Sequence, residues 1–464
     1  MRPRDPNRLT AAEIGRTMRM AMVDGALFAL MLGVAETSFL AEAVRLGAGP
    51  LAIALLTSLP LLCGGLGSLL MLRALRRVPR RRVWVVGCAL GQVVVLTALT
   101  AFVALDRNGV AVLLVLLCVY HLFGQAAGTA WSSWYGDLVP RPVRGRYFAA
   151  RTRVVHVATF VSVLGGGAVL AAMPPPGGFA VLFALAAGAR LLSALLLARS
   201  AEPRFRGLGP PQRPIQFLTS GAGRNARTVL FGAALFHLGV YLAAPFFSPY
   251  MLEECGLDWD GYMLTLGAVV AVKALTLPLW GRLVDRIGSH RAFRLALLLS
   301  ATIPIPFLWA DELLGLTLAY GWSGLCWGGF EVAAFALVLD STTRRTRPQV
   351  FAAQGLLNGG AQLGGSLAGA ALMASGGYGL VFAGSFAARL VVALLLPWFV
   401  RPMAARQADR GAGMALRLIG FRPSGGMVHR PVFDESGNPG TPRLSAPPTA
   451  DAAEPVDATP AEVH

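Results

Sequence analysis

Twelve runs of about 20 apolar residues leave this chain few ways to fold. They occupy 20–41, 48–72, 83–105, 109–132, 153–173, 178–199, 227–250, 260–280, 292–310, 313–338, 354–375 and 379–400. The runs are too long for barrel strands and lack period-two alternation. In hydrocarbon each backbone amide must be satisfied within its own segment, so every run is read as a membrane-crossing helix. The first run holds Asp24 and Glu36 and has no small-residue cleavage site, so it reads as a helix and not as a cleaved leader. Ahead of it, Thr10-Ala-Ala-Glu13 has the spacing of a capping box, which places the start of helix 1 before the bilayer.

Composition agrees. Only 14% of the 464 residues are charged and the mean hydropathy is +0.59, against about 25% charged residues in soluble domains. This excludes a soluble enzyme, a disordered chain and a small disulfide scaffold. The five cysteines form no CxxC pair and no zinc-spaced Cys/His cluster, so neither a metal nor a cofactor is expected. A net charge of +17 raises the question of nucleic acid, and the placement of the arginines answers it. They crowd the N-terminus, the connections 2–3, 4–5, 8–9 and 10–11, and the central segment, while the intervening connections hold only Arg45 and Arg107 among bases. That alternation is the positive-inside pattern. It predicts both termini in the cytoplasm of a bacterial cell, a multi-pass protein of the cytoplasmic membrane, and no nucleic-acid partner.

The expected organisation is a cytoplasmic segment 1–19, a six-helix bundle 20–200, a cytoplasmic linker 201–226 bearing Pro203, Pro210, Pro211 and Pro214, a second six-helix bundle 227–400, and a tail 401–464. The tail has nine prolines, seven bases and seven acids with no apolar periodicity, a composition that reads as disordered.

The halves repeat each other. Asp137, Arg144, Phe148, Ala149 and Ala150 recur 203 residues later as Asp340, Arg347, Phe351, Ala352 and Ala353. Gly177-Gly178-Phe179 and Ala189-Arg190-Leu191 recur at an offset of 199 as Gly376-Gly377-Tyr378 and Ala388-Arg389-Leu390. Two parallel six-helix units joined by a polar segment make a transporter architecture, with the substrate site between them near the midplane. Two motifs sharpen this: Gly281-Arg-Leu-Val-Asp285-Arg286-Ile-Gly288-Ser-His-Arg291 between helices 8 and 9, and Asp137-Leu-Val-Pro140-Arg-Pro-Val-Arg144-Gly145-Arg146 between helices 4 and 5. On these residues the chain resembles the major facilitator superfamily over 15–400. The resemblance implies an all-α membrane fold of two pseudo-symmetric six-helix bundles. It also implies a gating role for Asp137, Arg144, Gly281, Asp285, Arg286 and Arg291, with a glycine-bearing turn packed on a neighbouring helix and an Asp–Arg latch. The equivalent first-half loop carries Met71 where the acid belongs, so that half has lost its latch or built it otherwise.

Polar residues at membrane depth are costly and face cavities or partners. Helical spacing aligns His121, Gln125, Thr129 and Ser132 on helix 4, and Gln354, Asn358, Gln362 and Ser366 on helix 11. Helix 7 contributes His237 and Tyr241, helix 8 Tyr262, Thr265, Lys273 and Thr276, and helix 10 Tyr320, Gly324, Trp327 and Glu331. These faces are expected to border a water-filled path. Lys273 is the only lysine among 41 basic residues, which argues for a compact ammonium that guanidinium cannot replace. Lys273 and Glu331 lie at similar depth and are expected to pair, breaking on protonation or substrate binding. Glu36 and Asp24, towards the two ends of helix 1, read as interfacial acids able to carry a coupling proton, and Arg190 and Arg389 as helix-packing residues. His156 on helix 5 reads as an interior histidine.

The sequence thus predicts a monomeric secondary transporter of a small-molecule substrate, working in the lipid bilayer with a proton or sodium as coupling ion. A Walker-type phosphate loop is not present in it. Export of an amphipathic compound, uptake of a polar nutrient and a transporter-like sensor remain as alternatives.

Overall fold

A 44-residue apolar helix cannot cross a bilayer once. In the computed structural model of the protein the span Ala353–Leu396 has that length, about 66 Å at 1.5 Å per residue, against about 30 Å of hydrocarbon. The helix Arg347–Phe399 leaves helical geometry at Gly376 (φ −156°, ψ 17°) and Gly377 (φ 67°, ψ −165°), the second a conformation that suits a residue without a Cβ. It therefore makes two crossings, and the eleven membrane-length helices found among the described residues yield the twelve expected. The structure describes residues 9–107, 109–204, 224–341 and 347–399, with 420–421 and 427–428.

The crossings are α1 (Ala11–Arg45), α2 (Pro50–Arg77), α3 (Arg81–Ala104), α4 (Val110–Leu138), α5 (Arg141–Ala172), α6 (Gly177–Ala198), α7 (Arg224–Ala243, continued to Glu254), α8 (Trp259–Ile287), α9 (Ser289–Ala301), α10 (Leu313–Asp340), α11 (347–375) and α12 (378–399). The capping box closes α1: Thr10 N donates to Glu13 Oε2 at 2.8 Å and Glu13 N to Thr10 Oγ1 at 3.2 Å. Two helices are irregular. α1 widens into a π-helical turn over Leu32–Glu36. α7 tightens to a 3₁₀ turn at Ala244–Phe246, where Pro245 removes a donor, and widens again over Tyr250–Glu254. Such π turns recur at functional sites.

Most of the linker and of the tail lies outside the described residues, so their expected characters concern parts not described; the tail contributes only an antiparallel pairing of Gly420–Phe421 with Met427–Val428.

The two sets of six helices meet along two seams, α2 against α11 and α5 against α8. Glycines bring the second seam close: a Cβ at Gly167 would stand 2.9 Å from Met263 Cβ, and one at Gly267 3.1 Å from Leu164. Without a hydrophobic drive between helices in lipid, such small-residue contacts supply the attraction. The hydrophobic clusters differ at the two ends. At the arginine-poor end a single cluster joins both halves, with Phe39, Ile53 and Phe183 from one and Phe246, Tyr250 and Met263 from the other. At the arginine-rich end the buried clusters are separate, one around Trp134 and Tyr135, the other around Phe293 and Phe330. Among the described residues, the buried clusters of the two halves merge at the first end and are distinct at the second.

Candidate functional site

The lone lysine and its acid meet. Lys273 Nζ on α8 donates to Glu331 Oε1 on α10 at 2.5 Å, and the two residues are 1% and 4% exposed. The approach has a local cause. Gly324 lies so close to α8 that a Cβ there would stand 2.5 Å from Val269 O and 3.1 Å from Lys273 N; one turn on, Gly328 faces Lys273 Cγ. Glu331 follows on the same face. Across the α5–α8 seam, His156 lies within electrostatic range of Lys273. Two opposite charges that would each be costly in hydrocarbon are thus placed together beside a residue of the other half.

A second group surrounds a cavity between α1, α2, α4 and α7, with about 510 Å³ of empty space, part of it open to solvent. Glu36, Phe39, Thr57, Leu117, His121 and Tyr241 contribute to its wall. Glu36 ends the π turn of α1, is 4% exposed, and has Tyr120 Oη 3.5 Å from its Oε1. It is therefore a buried cavity acid, which corrects the interfacial reading. The π turn shifts the register of the last residues of α1, and periodicity alone does not report that. His121 Nδ1 lies 2.9 Å from Leu117 O; a carbonyl only accepts, so Nδ1 carries a proton.

Other expected residues are distributed around these two groups. His237 Nδ1 meets Ala233 O at 2.8 Å, and its ring packs against Trp327 and Phe330. Gln125 is half-buried, its Cγ against Gly64 of α2. On α11, Gln354, Asn358, Gln362 and Ser366 are all buried, and Gly359 beside them packs on Leu62 of α2. Gln354 Oε1, Asn358 Oδ1 and Ser366 Oγ have no hydrogen-bond partner among the described residues. On α8, Tyr262 Oη donates to Ser248 Oγ and Thr265 Oγ1 lies 3.1 Å from Thr317 Oγ1, so these groups tie α8 to α7 and α10.

The gating motifs need correction in three places. The residues from Gly281 to Ile287 form the last turns of α8, and the turn is made by Gly288 at φ 84°. A Cβ at Gly281 would touch nothing within 4 Å, so this glycine packs against no described neighbour. Asp285, Arg286 and Arg291 are exposed, and no ion pair of theirs is present among the described residues. In the first half an Asp–Arg pair forms at another place. Arg81, buried at the start of α3, donates to Asp137 Oδ2 at 2.5 Å and to Ser133 O at 3.0 Å, while its backbone N donates to Glu202 Oε1 at 2.7 Å. The side chain of Arg144 lies outside the described residues.

Residues 229–441 match the sequence profile of the Major Facilitator Superfamily. Over those residues the chain is similar to that superfamily. Solved structures share the fold of this chain at low identity. A nucleoside transporter, NupG, aligns with a TM-score of 0.61 and 12% identity over 84% of this chain and 99% of its own. A bacterial homologue of the human lysosomal transporter Spinster, inward-facing and occupied, gives 0.62 and 14% over 84% and 95%. A bacterial homologue of the iron transporter ferroportin, inward-facing, gives 0.65 and 14% over 85% and 100%. No curated protein matches in sequence. The chain thus shares its fold with membrane transporters, and its membrane-length helices are those of a multi-pass membrane protein.

Two further buried networks lie within this fold. Asp24, expected at the interface, is 3% exposed: Arg151 Nη2 donates to its Oδ2 at 3.3 Å and Ser193 Oγ to its Oδ1 at 2.7 Å, with Arg190 donating to Ser193. In the second half Arg389 donates to Ser300 O and Val240 O. The matching positions of Arg190 and Arg389 in the repeat were the available signal; the partner of Asp24 on α5 had none.

Proposed function

We propose that the chain is a secondary active transporter that moves a small organic solute across the bacterial cytoplasmic membrane by alternating access, coupled to an ion gradient. The observation that carries this reading is the Lys273–Glu331 pair, buried between α8 and α10 at the α5–α8 seam. A carboxylate that holds an ammonium can exchange that partner for a proton. The exchange leaves an uncompensated cation in a low-dielectric setting, a cost that repositioning of α8 relieves. Proton binding and seam geometry are thereby linked, and the proton is the coupling ion this arrangement favours over sodium, which needs several oxygen ligands.

If the arginine-rich end is cytoplasmic, both termini are cytoplasmic and the arginine-poor end, where the clusters merge, faces outward, which supports an inward-facing state. The cavity wall includes Tyr241 of the second half and Glu36 of the first, which supports an alternating site between the halves. The largely apolar wall favours an amphipathic solute over a polar nutrient. The proteoliposome test measures flux of a compound panel with and without a pH gradient. Gradient-dependent accumulation of at least one compound is expected. Intact folding with no flux of any compound would favour a sensor.

A further inference from the structure

The turn between α2 and α3 concentrates positive charge. Six of the ten residues from Arg73 to Arg82 are arginine and none is acidic. Arg73, Arg76, Arg77, Arg80 and Arg82 are exposed, and no ion pair of theirs is present among the described residues. The two acids that reach this turn are already engaged: Asp137 accepts from the buried Arg81 side chain, and Glu202 accepts from the backbone N of Arg81 and of Arg82. The turn is held in shape, with Arg80 N donating to Val78 O at 2.8 Å and the Trp84 indole donating to the same carbonyl at 3.1 Å. The connection between α8 and α9 differs, because Asp285 stands among Arg282, Arg286 and Arg291.

The direction in which these arginines emerge is specific. On α2, Thr57 and Leu61 face the cavity. Leu66, Leu70, Arg73 and Arg77 share the opposite face at helical spacing, and all four are exposed. On α3, Val83, Gly87, Leu90 and Val94 form a second exposed row, with open space where a Cβ at Gly87 would stand. Exposed apolar rows on membrane-length helices are surfaces for acyl chains. Arg73 and Arg77 continue the α2 row one and two turns beyond Leu70, so their guanidinium groups stand at headgroup level beside lipid and not over the cavity. Orientation in the membrane needs bases at this end but not on this row. Guanidinium forks match the oxygens of a phosphate.

We propose that the α2–α3 turn binds an anionic phospholipid, its phosphate against Arg73, Arg77 and Arg80 and its acyl chains along the exposed rows of α2 and α3. A zwitterionic lipid brings a cation of its own into the arginine cluster, and a free phosphate has no chains for the apolar rows to hold. Binding of this kind requires only that the helices lie in a bilayer and is independent of solute transport.

Native mass spectrometry of the full chain in detergent, incubated with equimolar phosphatidylglycerol and phosphatidylcholine, reads the bound lipid directly. The wild type is expected to retain phosphatidylglycerol at least tenfold over phosphatidylcholine, since each arginine near an anionic lipid surface contributes about fivefold. Arg73→Gln with Arg77→Gln is expected to cut that preference at least fivefold. Arg282→Gln with Arg294→Gln, which removes the same charge from the other half, is expected to leave it within twofold. Val83→Glu adds a carboxylate beside the turn and keeps every arginine. It is expected to weaken the preference at least fivefold as well, so a double arginine variant that fails to fold does not end the test. Equal retention of the two lipids, or an equal fall with either arginine pair, overturns the proposal. Displacement of phosphatidylglycerol by inorganic phosphate also overturns it and assigns the arginines to a free anion.

Discussion

Lys273 and Glu331 lie 58 residues apart in sequence and 2.5 Å apart in space, joined across α8 and α10 where Gly324 removes the side chain that would separate them. Both charges are nearly out of contact with solvent. Removing one partner strands the other, at a cost of about 3–5 kcal/mol. Lys273→Met and Glu331→Gln are each expected to lower the melting temperature in detergent, and the double variant Lys273→Met with Glu331→Leu to recover most of the loss. Additive losses in the double variant would show that the pair is not an energetic unit.

Arg81 joins α3, α4 and the segment after α6, all within one half. It is a structural clamp. Arg81→Met is expected to cost about 3–5 kcal/mol, whereas Asp285→Asn, at an exposed position, should stay within about 0.5 kcal/mol. Thermal unfolding of the two variants side by side checks the order.

The glycines of α8 and α10 divide into two kinds. Gly281 sits in helix with open space around its missing Cβ, so Gly281→Ala should be neutral or stabilise by up to about 1 kcal/mol. Gly324→Val drives a branched side chain into Val269 O and should cost about 1–3 kcal/mol or more, with loss of transport as Lys273 is pushed from Glu331. Expression, melting temperature and flux of the two variants provide the comparison.

Merging of the buried clusters at one end makes a topological prediction. In a chain freed of its five cysteines, Thr57→Cys should react with a membrane-impermeant maleimide from the cytoplasmic side and be protected from the outside, because the cluster around Phe246 and Tyr250 is shared by both halves there. Faster labelling from outside would reverse the assigned orientation or state.

The crossings were legible because hydrocarbon forces each segment to satisfy its own amides, and the glycine pair at Gly376–Gly377 was marked by its counterpart at Gly177–Gly178. Lys273 was marked by being the only lysine among 41 basic residues and Glu331 by depth. Asp24 and Glu36 were misread for one reason: position along a helix gives depth but not the direction a residue faces. Asp24 finds Arg151 127 residues away, and Glu36 is turned into the cavity by a π turn that leaves the hydrophobic count unchanged. Gly281 was misassigned because the motif was read as a loop, whereas α8 continues through it to Gly288.

The most direct test of the central claim, that the Lys273–Glu331 pair couples an ion gradient to solute movement, compares accumulation with exchange in proteoliposomes. For a compound the wild type transports, Glu331→Gln should lose pH-gradient-driven accumulation while retaining solute–solute exchange, since exchange requires alternating access but no change of protonation. Accumulation by Glu331→Gln at the wild-type level would contradict the account.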